Sequence, residues 1–301
     1  MYGILGRSKE HRPMPELPEV ETIAAGLRRK IVGLRIAVIQ IFLPKLDRGR
    51  GAIDLRKYSG RKVLDVRRRG KLILVTCENG LCLLFHLKMT GQFLWTRMEL
   101  ERDAHTHLAI SFAGRNRELR FRDVRKFGFV RCFETSGLAE AAELRSLGFE
   151  PLETGLDTLT HALLARKGRL KSLLLNQTFI AGIGNIYADE ILFESRLHPL
   201  IPASTLSRKE IARLWAAIQS ILRKAVAAGG STIRNYKDAD GLDGHFQFQH
   251  KAYGRKGLPC PRCGRTIRRD VIGGRASFYC PRCQRRNNKN RRRTPGQDFG
   301  Y

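Results

Sequence analysis

The sequence lacks any apolar run long enough to span a membrane. Its longest apolar stretches, residues 34–43 and 81–87, have the length of β-strands, whereas a spanning helix needs roughly 20 apolar residues. A secretory leader is also missing, because residues 1–13 contain no apolar segment of the length that a leader has. We therefore expect a cytoplasmic protein with no membrane partner.

Acidic residues are scarce. The chain has 28 Asp and Glu against 56 Lys and Arg, which gives a formal net charge of +28. Such a charge argues against an ordinary metabolic enzyme and indicates a polyanionic partner, above all nucleic acid. An anionic membrane surface is the alternative, but the basic C-terminal segment lacks the long apolar helix face that interfacial binding uses. We predict that residues 286–301 form a disordered basic tail that binds phosphate or only improves solubility.

The cysteines argue against a disulfide framework, because their number, seven, is odd and no secretory leader precedes them. Three of them, Cys77, Cys82 and Cys132, lie in apolar stretches, and we expect them to be buried and inert. The other four form two C-x2-C pairs separated by sixteen residues, which is the spacing of a tetrahedral site for one structural zinc ion. A redox pair is the less favoured alternative. The four predicted ligands are Cys260, Cys263, Cys280 and Cys283.

Short apolar stretches separated by turn residues dominate the first half of the chain. One helix precedes them, since apolar residues recur at helical spacing from Val20 to Ile31 and Pro18 suits the first turn. We predict strands over residues 34–43, 62–66, 71–76, 81–87, 108–112, 118–122 and 127–133. Many short strands with little helix indicate an antiparallel sandwich or barrel.

The second half is helical. The pattern predicts helices over residues 156–165, 170–175, 186–195 and 207–229, the last with a capping box formed by Ser207 and Glu210. Residues 231–250 lack periodicity and are predicted to form a mobile loop. Between the cysteine pairs, residues 271–279 resemble a hairpin that presents Arg275 to phosphate, or simply to solvent. The chain is therefore expected to be an α+β protein of several domains.

A glycine loop separates two of the predicted helices. Gly182 and Gly184 precede the helix that starts near residue 186, and backbone N–H groups at such a point can bind phosphate. A tight connection is the simpler alternative. Four nearby basic residues favour a helix-loop-helix that contacts the duplex backbone, and these are Arg166, Lys167, Arg169 and Lys171.

Pro15 follows a methionine, Met14. If the chain began at Met14 and that residue were removed, Pro15 would carry a free secondary amine, whereas a peptide-bonded proline nitrogen is not nucleophilic. An α-amine has a pKa near 7.7 to 8.0 against about 10.4 for lysine, so far more of it is unprotonated at neutral pH. Glu16 would supply an adjacent carboxylate. We expect residues 1–14 to be a leader or a misassigned start that the working protein lacks.

Five motifs together resemble the bacterial formamidopyrimidine-DNA glycosylase family. They are PELPEVET at residues 15–22, HLKMTG at 86–91, RDVRKFG at 122–128, GIGNIYADE at 182–190, and the four-cysteine finger with Arg275. The resemblance runs in family order from Pro15 to about Arg285. It implies an N-terminal β-sandwich, a helix-two-turns-helix domain and a zinc finger, with damaged double-stranded DNA bound between them by a monomer.

The resemblance also implies roles for individual residues. Pro15 would attack the sugar C1′ and form a Schiff base, and Glu16 would move protons there. Lys71 would contact phosphate and assist β-elimination, and Arg275 would assist δ-elimination. A wedge would fill the gap left by the everted nucleotide, and its residues would be Met89, Arg125 and Phe127. Four further residues match positions that contact the DNA backbone, namely His105, Arg166, Asn185 and Tyr253.

The implied domains are a catalytic sandwich at residues 15–148, a hinge at 149–156, a helical domain with a lesion-closing loop at 157–250 and a zinc finger at 251–285. The expected activity is excision of oxidised purines followed by strand cleavage through β,δ-elimination. Two alternatives remain open. The enzyme could act on oxidised pyrimidines, as the related endonuclease VIII group does, or the chain could be a non-catalytic DNA-binding protein if the leader is retained.

Overall fold

Helix α1, Leu17–Ile31, is the first element in a computed structural model that describes residues 14–47, 54–137, 141–232 and 243–286. The helix starts earlier than its apolar spacing predicts, because Pro18 occupies its first turn and the side chain of Glu19 accepts a hydrogen bond from the backbone N–H of Glu16. Its apolar face, including Val20 and Leu27, packs into the core beneath the sheets.

Two four-stranded antiparallel sheets follow. One has the strand order β1-β6-β7-β5 and the other β2-β3-β4-β8. Inward-facing residues of both sheets share one core with α1, so the predicted sandwich is confirmed. The eight strands are Ile36–Ile41, Val63–Arg69, Leu72–Cys77, Leu81–His86, Gly91–Arg97, Thr106–Phe112, Arg117–Asp123 and Phe129–Glu134, numbered β1 to β8 in chain order.

The sequence prediction misses one strand of the sandwich, β5. In this strand Gly91 and Phe93 are buried, and Trp95 is partly buried against the same core. Leu94 and Trp95 are adjacent large apolar residues, and they obscure the alternation that marks a half-buried strand. The predicted turn between β3 and β4 is confirmed, since Asn79 and Gly80 both have positive φ, 59° and 67°. All three isolated cysteines of the first half are buried.

Helix α2, Ala142–Arg145, packs against the sandwich, and the helical domain contains α3, Leu156–Leu164, α4, Leu170–Leu175, α5, Asn185–Glu194, and α6, Arg208–Ala227. The capping box that begins α6 forms as predicted, because Ser207 Oγ accepts the N–H of Glu210 while the Glu210 carboxylate accepts the N–H of Ser207. These helices enclose a second core, to which Leu17 of α1 also contributes. The amino-terminal helix therefore touches both domains.

The C-terminal module is a two-stranded hairpin, β9, Arg268–Ile272, and β10, Arg275–Tyr279, with Gly273 and Gly274 at the turn. Both glycines have positive φ. The four cysteines lie at the end of this module away from the turn, and together with Phe278 and Ile267 they form a small separate core. The predicted zinc-finger hairpin is confirmed.

Glu150 lies in the segment that joins the two domains, and it is bonded to the strand end that precedes Lys71. Its carboxylate binds Arg68 at 2.6 Å and Arg69 at 3.0 Å, and it accepts the backbone N–H of Gly70 at 3.0 Å. The side chains of Arg68 and Glu150 are 5% and 7% exposed, so water screens this ion pair little.

Three regions of the sequence prediction lie outside the described residues: residues 1–13, most of the predicted closing loop (233–242) and the tail from 287. The prediction of a mobile loop over residues 231–250 is wrong for Phe246–Gln249. These residues form a short 3-10 helix, and its first residue packs against Tyr187. Within the described ranges, no helix combines the length and apolarity that crossing a membrane requires.

Candidate active site

Glu16 is a buried carboxylate that three backbone N–H groups hold in place. It is 3% exposed, and its oxygens accept hydrogen bonds from the backbone N–H groups of Gly184, Ile186 and Tyr187 at 2.8, 3.0 and 3.3 Å. These donors form the start of α5, where N–H groups have no partner inside the helix. Burial raises the pKa of Glu16 above its ordinary value, while Lys71 and the three N–H groups oppose that rise. The half-buried Pro15 directly precedes it.

Two glycines of the 181–185 loop allow this contact. A Cβ at Gly184 would lie 2.3 Å from Cδ of Glu16, and a Cβ at Gly182 would lie 2.8 Å from Cβ of Leu17. The Gly182 carbonyl also accepts the N–H of Leu17 at 3.0 Å. The loop that the sequence suggests as a phosphate site therefore binds a protein carboxylate, with N–H groups of the kind that hold anions.

A second buried carboxylate, Glu19, lies behind Glu16. It accepts the Glu16 N–H at 2.8 Å, the Tyr187 hydroxyl at 2.5 Å and the Ser231 N–H at 2.7 Å. Burial and the neighbouring charge of Glu16 raise the pKa of Glu19 to about 7. Glu19 thus joins the start of α1 to α5 and to Ser231, two residues before the undescribed segment 233–242.

Lys71 is buried, with 8% of its surface exposed. Burial lowers the pKa of its ammonium group, and the charges of Glu16 and Glu19 oppose that effect. Within the described part of the chain, no hydrogen bond or ion pair holds its Nζ. Arg275 and Lys88 are close enough to lower its pKa further. An ammonium group without a hydrogen-bond partner, with Arg275 and Lys88 nearby, can receive an anion.

The predicted wedge residues come together on two adjacent turns. Arg125 Nη1 lies 3.0 Å from Sδ of Met89, and its guanidinium carbon lies 4.7 Å from the ring centroid of Phe127. Phe127 is 48% exposed, so it is not a core residue. Both turns are fixed by the buried Asp123, whose carboxylate binds the Thr90 hydroxyl. An exposed aromatic ring beside an arginine is the arrangement expected of a group that inserts between bases.

Lys171 is fully buried, so of the four basic residues near the glycine loop it cannot be one that reaches duplex backbone. Its Nζ donates to Asp189 Oδ1 and Ser277 Oγ, each at 2.7 Å, and to the Ala276 carbonyl at 2.9 Å. Asp189 in turn accepts the N–H of Phe278 at 2.9 Å. The lysine therefore fastens β10 to the helical domain next to Arg275. No spacing in the sequence reveals this pairing, because its members lie far apart along the chain.

Asn185 and Arg275 lie on either side of that attachment. Asn185 begins α5 and donates from Nδ2 to the Ala276 carbonyl at 2.9 Å, while its buried Oδ1 has no partner in the described structure. Arg275 begins β10 and is exposed. The structure thus brings Pro15, Glu16 and Lys71 together with the hairpin turn.

The remaining predicted contact residues lie on other elements. The backbone of Tyr253 is held by Glu190, which accepts its N–H at 2.8 Å, and its ring packs on Phe278. His105 precedes β6, with a buried Nδ1 that has no partner among the described residues. Arg166 is exposed over the ring of Phe179. Their contact with DNA remains a prediction.

The four cysteines fit one zinc ion. Their sulfur atoms all lie within 4.8 Å of one another, with Cys260 and Cys283 Sγ 3.9 Å apart and Cys263 and Cys280 Sγ 3.5 Å apart. Zn–S bonds of about 2.3 Å in a tetrahedron place sulfurs roughly 3.8 Å apart. Backbone N–H groups point at two of the sulfurs. Four protein ligands leave no open position, so the ion is structural.

Comparison with known proteins agrees with this geometry. Family models match three segments: the formamidopyrimidine-DNA glycosylase N-terminal domain at residues 14–130, its H2TH domain at 147–237, and the zinc finger found in FPG and IleRS at 257–286. The chain belongs to the formamidopyrimidine-DNA glycosylase family.

The chain matches relatives in this family over nearly their full length. The formamidopyrimidine-DNA glycosylase of Pelotomaculum thermopropionicum is 40% identical over 90% of this chain and 99% of its own, and that of Solibacter usitatus is 43% identical over 91% and 100%. The MutM (Fpg) structure from Thermus thermophilus matches at 41% identity, covering 90% of this chain and 98% of that one, with a TM-score of 0.80.

A Lactococcus lactis FPG mutant in complex with a Fapy-dG containing DNA matches at 33% identity and a TM-score of 0.84, covering 90% of this chain and 100% of that one.

Proposed function

We propose that this chain excises oxidised purines such as 8-oxoguanine and formamidopyrimidines from duplex DNA and then cleaves the strand. The observation that carries the proposal is the seat of Glu16, a buried carboxylate fixed on the start of α5 one residue after Pro15 and near the unbonded ammonium group of Lys71. The Lactococcus lactis homologue bound to Fapy-dG DNA supports the same substrate class.

Pro15 acts as the nucleophile once its nitrogen is the free chain terminus. Its lone pair forms a bond to C1′ of the damaged nucleotide while the N-glycosyl bond breaks. The base leaves with the electron pair of the N-glycosyl bond. Ring opening of the sugar then gives an iminium ion. Glu16 transfers protons at the sugar, and its raised pKa suits a group that must both hold and release a proton.

Strand cleavage follows from the iminium. Loss of a proton from C2′ expels the 3′ phosphate by β-elimination, and a second elimination expels the 5′ phosphate. Lys71 binds phosphate and assists the first step, and Arg275 assists the second. The family match begins at Met14, which supports a working protein that starts at Pro15.

DNA is held in the cleft between the sandwich and the helical domain. The wedge of Met89, Arg125 and Phe127 fills the space of the everted nucleotide. Backbone contacts come from His105, Arg166, Asn185 and Tyr253. The protein works as a cytoplasmic monomer, and its zinc ion shapes the finger that carries Arg275.

Borohydride trapping tests the reaction. Borohydride reduces the iminium to an amine that links protein to DNA, so we expect a stable adduct with an 8-oxoguanine duplex, and a peptide map should locate it on Pro15. Preferential trapping on thymine glycol would instead assign oxidised pyrimidines. An intact-mass measurement on native protein accompanies this test, because a full-length chain that begins at Met1 and cannot be trapped would make the protein a non-catalytic DNA binder.

A further inference from the structure

A cavity of about 600 Å³ lies between the helical domain and the cysteine end of the zinc finger. It is separate from the candidate active site. Arg196 follows the C-terminal end of α5, whereas Asn185 begins that helix, and at about 1.5 Å per residue the two lie on the order of 15 Å apart. β10 likewise runs from Arg275 at its turn end to the cysteine end.

Five arginines line this cavity, against a single lining carboxylate, that of Glu210. Two of the guanidinium groups are fixed in place. Arg213 donates from Nε to the Ser195 carbonyl at 2.7 Å, and Arg262 lies over the Phe193 ring and binds Glu194 at 2.8 Å. The five are Arg196, Arg213, Arg262, Arg282 and Arg285.

The other three, Arg196, Arg282 and Arg285, are exposed and make no side-chain hydrogen bond or ion pair in the described structure. The zinc site offsets part of the positive charge of the five arginines. A zinc ion with four thiolates carries about two net negative charges, and Cys263 and Cys283 form one wall of the cavity. The carboxylates of Glu210 and Glu194 offset two more of the positive charges. A positive excess therefore remains, with three free guanidinium groups that can each bind two phosphate oxygens.

We propose that this cavity binds backbone phosphate of a second DNA segment, without reading sequence or damage. The planar guanidinium group of arginine binds phosphate through two oxygens at once. A family member that acts on DNA also meets duplex backbone at high local concentration. The site lies at the opposite end of the finger from Arg275, so it stays available while the cleft is occupied. The inference goes beyond the proposed function, from which it takes only that the chain works on DNA.

A bridging experiment tests this. Full-length zinc-loaded protein is bound to an immobilised short duplex that contains one abasic site, and a free fluorescent undamaged duplex is then added. We expect Arg196→Gln/Arg282→Gln/Arg285→Gln to lower capture of the free duplex at least about tenfold and to reduce the slope of log affinity against log salt by about 2 to 3. Base release from a short damaged duplex should be unchanged, because none of the three lines the candidate active site.

A matched variant loses the same charge elsewhere. Arg97, Arg115 and Arg117 are exposed at the end of β5 and β7 farthest from the wedge, and Arg97→Gln/Arg115→Gln/Arg117→Gln should leave bridging as in the wild type. Equal capture by the wild type and the cavity variant overturns the proposal, as does an equal loss in the matched variant. A chain ending at Arg286 should still bridge, and loss of capture in it would assign the second contact to residues 287–301 instead.

Two further arms identify the ligand. Excess inorganic phosphate should compete only weakly, since it lacks adjoining phosphates, and full displacement at low phosphate concentration would make the site one for a free anion. Displacement by an acidic peptide but not by unlabelled duplex would assign a protein partner and overturn the proposal. Borohydride cross-linking to the immobilised duplex is scored separately, so failure of the proposed chemistry is not confused with failure of the second site.

Discussion

The carboxylate of Glu19 accepts the backbone N–H of Glu16 at 2.8 Å, while the side chain of Glu16 points away to the start of α5. The two acids share one helix end and are held by different groups, although Tyr187 supplies one to each, its N–H to Glu16 and its hydroxyl to Glu19. Glu19 fixes the backbone from which the Glu16 side chain extends, and three residues of α5 and its preceding loop fix the side chain itself. This double attachment is the basis of the first two predictions.

Gly184→Ala should abolish most of the activity with little loss of folding. A Cβ there would lie 2.4 Å from Oε1 of Glu16 and must displace that carboxylate. We expect single-turnover base release to fall by two orders of magnitude or more, as expected when a catalytic group is misplaced by about 1 Å. Gly155→Ala is the control, because Gly155 also caps a helix and a Cβ there meets nothing within 4 Å. Equal activity in both variants would show that Glu16 can shift without consequence.

Stability should fall as pH rises from about 5 to about 7.5, and Glu19 should cause part of that fall. Between the ordinary pKa of 4.5 and about 7, folded Glu19 holds a proton that the unfolded chain has lost. The free energy of unfolding therefore decreases with pH in this window, on the order of 2 to 3 kcal/mol for a carboxyl this buried. Urea melts of the wild type and Glu19→Gln measure it, since the amide cannot titrate. Parallel pH profiles would contradict the raised pKa.

Lys71→Ala should weaken binding to abasic-site DNA and slow strand cleavage without lowering the melting temperature. Its ammonium group is buried without a hydrogen bond in the described structure, so removing it relieves a desolvation cost that offsets the lost attraction to Glu16 and Glu19. Binding titrations and cleavage assays measure function, and thermal melts measure stability. Lys57→Ala serves as control, because its ammonium group is exposed on the sandwich. Unchanged binding and cleavage would remove Lys71 from the site.

Zinc chelation should abolish DNA binding while the sandwich stays folded. Cys260 and Cys280 lie in a small core that the finger shares with Phe193 of α5, whereas the sandwich core contains no finger residue. Loss of the ion should release Arg275 from its position and leave β1 to β8 intact. Mobility shifts follow binding, and hydrogen exchange follows each module. Retained binding by the metal-free protein would refute the placing of Arg275 at the DNA.

The sequence predicts the elements well and their attachments poorly. Zinc ligation could be read from spacing alone, because two knuckles need only local geometry. The helix at Val20 to Ile31 and the capping box at Ser207 are local in the same sense. Glu190 is different: it accepts three backbone N–H groups at residues 251–253. Lys171 is different too, since its partners lie on β10 and α5. Such contacts depend on the packed fold, which no periodicity encodes.

The motifs predict the roles of the site residues, and the contacts in the structure explain their positions. The Pro15-Glu16 pair reads as a helix lead-in until Gly184 and Ile186 are seen to hold its carboxylate. Glu19 reads as a residue that complements the helix dipole, yet it binds Tyr187 as well. In both cases the partner is about 170 residues away.

The carboxylate of Glu150 has a mechanical consequence. It holds Arg68, Arg69 and the backbone N–H of Gly70, so the connection between the domains is fastened to the residue that immediately precedes Lys71. Any rotation of the helical domain that preserves these bonds must carry the base of the Lys71 side chain with it. A change in the angle between the domains would then shift the ammonium group that we propose binds phosphate.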